Sequence, residues 1–312
     1  PEIGALRAGL RRMLLGDEPT FAALADRYMT VDDLLAIRER VIGTGRIGGK
    51  AAGLMLAWKI LQQDNPDAEF DVRRHLVLPE SYFIGADVFY YFTSINGLFD
   101  LLNQKYKTRE EFESSYQVAR RSYAGGQFPP EVVSRLREVL DEVGDSPLIV
   151  RSSSLLEDNF GTSFAGKYDS IFCPNQGTPE RNLEDVLNAI RHVYSCVVRP
   201  EALIYRQRMG LIDYDERMAI LLQKVEGERH GKYFMPTLAG VGFSRNPFRW
   251  NRRIRREDGF LRLVFGMGTR AVERMANDYA RMVALSHPLL RPEGTAGEIR
   301  WYSQRFADVI DL

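Results

Sequence analysis

Arg151 closes an apolar run, Pro147-Leu148-Ile149-Val150, and three hydroxyls follow it, Ser152-Ser153-Ser154. A guanidinium presents rigid paired donors that match phosphate oxygens, and the hydroxyls and backbone N–H groups that follow add further donors to an anion. The segment runs on through Glu157-Asp158 to Ser163-Phe164-Ala165-Gly166-Lys167. A second anion-binding arrangement is Gly48-Gly49-Lys50. Glycines at a helix start expose N–H groups at the positive end of the helix dipole, and a lysine adds a mobile charge. A purely structural alternative exists: Arg151 pairs with Glu157 or Asp158, and the serines cap a turn. Both readings stand on these residues alone.

Other candidate chemistry is thinner. Gly43-Thr44-Gly45-Arg46-Ile47-Gly48 satisfies G-x-G-x-x-G, but only Val41-Ile42 precedes it where a dinucleotide fold needs a full strand. It is not a Walker loop, because Thr44 stands at the first required glycine and Ala51 follows the lysine. Arg245, Arg249, Arg252, Arg253, Arg255 and Arg256 surround Trp250, a mixture able to bind RNA through phosphates and stacking. Glu257 and Asp258 beside it favour a solvated face. His75, His192, His230 and His287 are scattered without metal-ligand spacing, and Ser286-His287 reads as a capping or loop pair before Pro288. Cys173 and Cys196 show no metal or redox spacing, which suits buried thiols in a reducing cytoplasm.

The elements that must position these groups follow from periodicity. Helical spacing covers the N-terminal forty residues, then Ala51 to Leu61, Ala86 to Ile95, Glu110 to Tyr123, Pro130 to Val143, Pro179 to Val198, Pro200 to Met209 and Ala271 to Leu285. Strands are expected at Leu76 to Leu78, Tyr82 to Ile84, Leu148 to Val150, Tyr168 to Phe172, Met218 to Val225, Gly240 to Ser244 and Phe260 to Phe265. Helices and strands without strict alternation predict an α+β fold with antiparallel strands in the second half. The 312 residues carry 42 Lys plus Arg against 42 Asp plus Glu, so no global field favours nucleic acid or an anionic membrane. No apolar run approaches the ~20 residues that span a bilayer, and no basic-then-apolar leader opens the chain. A soluble, cytoplasmic protein without a membrane partner is expected. A start at Pro1 without methionine, and a stop at Leu312 within what reads as ordered structure, suggest a piece of a longer protein.

The run VRSS, ED, SFAG resembles the nucleotide-binding domain of the phosphoenolpyruvate synthase (pyruvate, water dikinase) and pyruvate, phosphate dikinase family. Three more landmarks occur in that family's order: Gly48-Gly49-Lys50-Ala51-Ala52-Gly53-Leu54, then Ala239-Gly240-Val241-Gly242-Phe243-Ser244-Arg245-Asn246-Pro247, then Phe265-Gly266-Met267-Gly268. Thr269 stands where many members have glutamate, and Lys167 where they have glutamine. The resemblance implies an ATP-grasp-like domain of two lobes, with residues 1–42 a helical extension, 43–215 the first lobe and 216–312 a truncated second lobe. It implies ATP and Mg²⁺ as cofactors. Lys50 and Arg151 would act on the transferring phosphate, with Gly48, Gly49, Ser152, Ser163, Gly166 and Arg245 around it. Gln223, Lys224 and Val225 would form a hinge reading adenine through backbone groups. The implied activity passes phosphate from ATP to a histidine on a further domain and then to pyruvate on another, both downstream of this chain. Relatives with an antibiotic or a glucan as acceptor leave the final acceptor open, and an RNA-binding module using the Arg245 to Arg256 loop is the alternative of another class. Glu298 and Asp308 are the acids considered for Mg²⁺, neither in a matching motif.

Overall fold

Met218-Ala219-Ile220-Leu221-Leu222 is an unbroken apolar run rather than an alternating one, the pattern of a strand covered on both faces. In the computed structural model, which describes residues 2–63, 71–157, 166–272 and 277–312, that run is the middle strand of a five-stranded sheet. The chain divides into two compact units, Pro1–Val225 and Glu226–Leu312.

The first unit opens with three helices, α1 (Glu2–Leu14), α2 (Pro19–Tyr28) and α3 (Val31–Glu39), then β1 (Val41–Ile42) and α4 (Gly49–Leu61). There follow α5 (Val72–His75), β2 (Ser81–Ile84), α6 (Ala86–Ile95), α7 (Arg109–Ala124) and α8 (Pro130–Val143). The unit ends with β3 (Leu148–Ser154), β4 (Ser170–Cys173), α9 (Pro179–Ser195), α10 (Pro200–Arg208) and β5 (Met218–Lys224). The strand order is β1-β2-β5-β3-β4, with β1 and β2 parallel and the other neighbours antiparallel.

Side chains alternate across this sheet and so divide it between two cores. Val150, Ile220, Leu222 and Ile84 point into the larger one, with Phe89, Phe92, Tyr123, Leu136, Ile190 and Tyr194 of the helices α6 to α9. Leu221 and Phe83 point the other way, against Leu14, Ala25, Met29, Leu34 and Ile37 of α1 to α3 and Ala51, Ala52 and Leu56 of α4. The first forty residues therefore cover one face of the sheet and belong to the first unit's core. Met218–Lys224, expected at the start of a second lobe, likewise lies at the centre of the first unit's sheet, between β2 and β3.

The second unit holds two antiparallel sheets. One, in the order β10-β9-β8, is made of β8 (Leu238–Phe243), β9 (Phe260–Phe265) and β10 (Arg281–Ala284). The other, ordered β11-β7-β6, comprises β6 (Glu228–His230), β7 (Tyr233–Met235) and β11 (Ile310–Asp311). Two short helices, α11 (Thr269–Val272) and α12 (Ala296–Trp301), complete it.

The mixed helices and antiparallel strands are the α+β fold that the pattern predicts. Two elements differ. Ala271 to Leu285 is not one helix: α11 ends at Val272, Asn277 takes a left-handed φ of 61°, and Arg281–Ala284 pairs with Leu263 to Phe260. A ladder partner overrides the helical propensity of an Arg-Met-Val-Ala-Leu run. Leu76 to Leu78 is not a strand: it runs without secondary structure between α5 and β2, and β2 already has β1 and β5 as neighbours. No helix among the described residues is long and apolar enough to cross a membrane.

Leu221 is fully buried and joins the sheet to the N-terminal helices. Leu221→Ala is expected to lower the unfolding free energy by about 2–5 kcal/mol in a urea titration, the range for emptying a core leucine site.

Candidate functional site

The glycine loop before α4 works in two halves. In the first, the Asp87 carboxylate, at the start of α6, accepts from Thr44 N at 2.8 Å, Thr44 Oγ1 at 3.0 Å and Gly45 N at 2.7 Å. A Cβ at Gly43 or Gly45 would stand 2.8 and 2.6 Å from a carboxylate oxygen of Asp87. This half of the G-x-G-x-x-G run thus already holds an anion, supplied by the protein, and the sequence pattern alone did not reveal Asp87 as that anion.

In the second half Gly48, at φ 81°, caps α4 without a side-chain hydrogen bond. The backbones of two landmarks touch here. A Cβ on Gly48 would fall on the Ser153 carbonyl, and one on Gly49 on the Glu157 carbonyl. Glycine is needed because nothing larger lets the two chains approach. Ser153 Oγ accepts from Ala51 N at 3.0 Å and donates to Ile47 O at 2.8 Å, stitching the crossing together.

Lys50 follows directly and reaches the same loop. Its ammonium donates to Glu157 Oε1 at 2.6 Å, Ser152 O at 2.9 Å and Ser152 Oγ at 3.2 Å. Glu157 is buried and also accepts from Ser152 Oγ and Ser154 N. Of the two partners considered for Arg151, Glu157 is therefore engaged with Lys50; Asp158 lies outside the described residues. Behind the loop, Leu156 N donates to Glu216 Oε1 at 3.4 Å, and burial pushes the Glu216 carboxyl up to about 7.

Arg151 belongs to a polar row across the sheet face that α4 also covers. Its Nη1 donates to Gln223 Oε1 at 3.0 Å, and Gln223 Nε2 donates to Ser81 Oγ at 3.0 Å. Gln223 lies opposite Ser81 and Ile149, so the three polar side chains share one face by register. The adenine-reading expectation for Lys224 and Val225 needs correction in its donors. Lys224 N–H is given to Glu80 O at 2.9 Å and Val225 N–H to Pro147 O at 2.8 Å, so neither remains for a base edge.

Of the remaining expected residues, Ser163 lies outside the described residues. Gly166 resumes the chain at φ 72°. Just beyond it Asp169 is clamped by Arg199, at 2.7 Å to Nη1 and 2.5 Å to Nη2, and by His192 Nε2 at 2.7 Å. The Asp169 hydrogen bond raises His192 to about 9, while the same bond and the Arg199 guanidinium hold Asp169 well below the usual carboxylate range. Cys196 approaches the group, and these three side chains are the described ones whose ligand atoms gather closely enough for a metal. Arg199 occupies both Asp169 oxygens, so the arrangement is an ion-pair clasp fixing β4 to α9, not an open metal site. His192 and Cys196 stand one helical turn apart in the sequence, but Asp169 and Arg199 join them only through the fold.

Arg245 lies in the second unit, exposed, three residues before Phe248 on the loop after β8. Gly266 makes a tight turn at φ 82° whose Cβ would meet Asp308 O at 2.8 Å, and Met267 N donates to that oxygen at 2.9 Å. The two acids considered for Mg²⁺ are both engaged. Glu298 caps α12, accepting from Gly294 N and Thr295 N, and Asp308 accepts from Thr269 Oγ1 and Arg270 Nε. Neither fits a set of hard oxygen ligands open to a metal.

The sequence is similar to those of known proteins. The family model described as pyruvate phosphate dikinase, AMP/ATP-binding domain, matches residues 44–311. A phosphoenolpyruvate synthase of Aquifex aeolicus is 24% identical over 159 residues, covering 47% of this chain and 18% of that protein. A rifampicin phosphotransferase of Streptomyces sviceus is 26% identical over 153 residues, 48% of this chain and 15% of the relative. A probable phosphoenolpyruvate synthase of Methanocaldococcus jannaschii is 22% identical over 251 residues, 76% of this chain and 18% of the relative. The chain spans less than a fifth of the length of each of these proteins.

Two outcomes test the geometry itself. Lys50→Met removes the ammonium that the buried Glu157 carboxylate faces at 2.6 Å, and is expected to cost about 3–5 kcal/mol in urea unfolding. The double variant Lys50→Met/Glu157→Leu should recover much of that loss. For His192, whose pKa in the folded protein lies above the ordinary 6.5 of a histidine, the stabilisation is complete below 6.5 and is lost as pH rises through about 9. Wild-type unfolding free energy should therefore contain a component that falls across this window, and His192→Gln should lack it.

Proposed function

The chain belongs to the pyruvate phosphate dikinase AMP/ATP-binding domain family, and on that premise we propose that it is the ATP-binding part of a phosphotransferase similar to phosphoenolpyruvate synthase. The observation that carries the reading is the meeting of Gly48-Gly49-Lys50 at the start of α4 with the Arg151-Ser152 end of β3. A helix N-terminus, an ammonium and a guanidinium then lie on one side of the sheet, a combination suited to a polyphosphate.

In this reading Lys50 and Arg151 stabilise charge on the transferring phosphate, with Ser152 and the Gly48 and Gly49 backbone as further donors. The domain would be of the ATP-grasp type. Positioning and electrostatics supply most of the acceleration in phosphoryl transfer. Lys50 must exchange its contact with Glu157 for a phosphate oxygen, which weakens nucleotide binding at rest. Phosphate would pass to a histidine on a further domain and from there to pyruvate. The similarity to a protein named rifampicin phosphotransferase supports a wider choice of final acceptor.

Calorimetry with ATP in magnesium buffer tests the site. We expect weak binding, with a dissociation constant of about 1 mM, weakened about tenfold further by Lys50→Ala or Arg151→Ala. Glu157→Gln should tighten binding, because the lysine no longer leaves a carboxylate. No heat at millimolar nucleotide, or equal binding by both alanine variants that remain folded by circular dichroism, overturns the assignment.

A further inference from the structure

The second unit contains a cavity of roughly 1220 Å³ that the nucleotide reading does not use as a whole. Its floor is one face of the β8-β9-β10 sheet, where the pairings Phe243 with Phe260 and Arg262 with Met282 place these side chains on the same side. The loop from Arg245 to Arg256 forms its wall.

The lining combines flat rings with positive charge. Phe243 and Phe260 stack at 4.6 Å with 10° between planes, and Phe248 meets Phe260 edge-on at 5.9 Å. Phe243 and Phe248 remain 40% and 48% exposed, so two phenyl rings stand uncovered at the same opening. Trp250 is held in place by its Nε1 hydrogen bond to Leu290 O at 3.2 Å. Arg245, Arg256 and Arg262 supply cations. The acid on this lining, Asp278, is already given to Arg270 Nη1 and Arg305 N, both at 2.6 Å.

Asn246 points to a ligand independently. It has no exposed surface and lines the cavity. Its backbone N–H donates to Arg256 O and its Oδ1 accepts from Phe248 N, but its buried Nδ2 has no partner among the described residues. A buried amide donor left unmade costs about 1–3 kcal/mol, which an acceptor entering the cavity would remove.

We propose that this cavity binds a planar aromatic molecule bearing an anionic group. The ring lies among Phe243, Phe248, Trp250 and Phe260, and the anion takes hydrogen bonds from Arg256 and Asn246 Nδ2. Offset and edge-on ring contacts provide the affinity of the flat part, and charge-assisted bonds select the anion. Arg245 borders the same space, but the site does not depend on it, and it does not depend on the Lys50 and Arg151 assignment.

Calorimetric titration with 1-naphthyl phosphate tests this, with 1-naphthol and inorganic phosphate as probes of each half. One site is expected, with 1-naphthyl phosphate bound about tenfold tighter than either fragment. Phe248→Ala and Arg256→Ala alter exposed side chains and should each weaken it about fivefold. Saturating ATP and Lys50→Ala should leave it unchanged. Equal affinity in wild type and both cavity variants, or 1-naphthol bound as tightly as its phosphate, overturns the inference, as does displacement by ATP. Absence of ATP binding with naphthyl phosphate retained removes only the nucleotide reading; the reverse result removes only this one.

Discussion

Two backbones touch where Gly48 and Gly49 meet the carbonyls of Ser153 and Glu157, and the arrangement of the first unit's polar groups depends on that contact. Without side chains on either glycine, α4 starts directly against the end of β3, and Lys50 has no choice but to reach into the Ser152 to Glu157 loop. The same approach lets Ser153 bridge Ile47 and Ala51. Ile47 N in turn donates to Leu14 O, which ties the loop to the end of α1. A contact that looks local therefore connects the N-terminal helices, the glycine loop and the central sheet.

Much of this was legible in the sequence because local signals and burial agree. Ala86–Ile95, Pro130–Val143 and Phe260–Phe265 begin and end where capping, proline and apolar periodicity place them. The family resemblance set Gly48, Lys50, Arg151 and Ser152 side by side, and the fold brings Lys50 onto Ser152. Partner choice was not legible. Nothing in residue spacing distinguishes Glu157 as the partner of Lys50 from Glu157 as the partner of Arg151, because the answer depends on how α4 crosses β3. Gln223 was noticed for its place in a strand, whereas its contact with Arg151 follows from a diagonal register that only pairing fixes. Arg281–Ala284 misled for the opposite reason: its helical propensity is real, but β9 offered a ladder.

Lys50 rests against a buried carboxylate at 2.6 Å, and that contact has chemical consequences for the proposed site. Separating the pair inside the protein exposes a charge that water does not reach, a penalty of several kcal/mol for an isolated ion. On the proposed function, Lys50 would leave Glu157 only once the phosphate charge compensates for the loss. The carboxylate would then hold the lysine in position while no anion is present and set a threshold of negative charge below which it does not move.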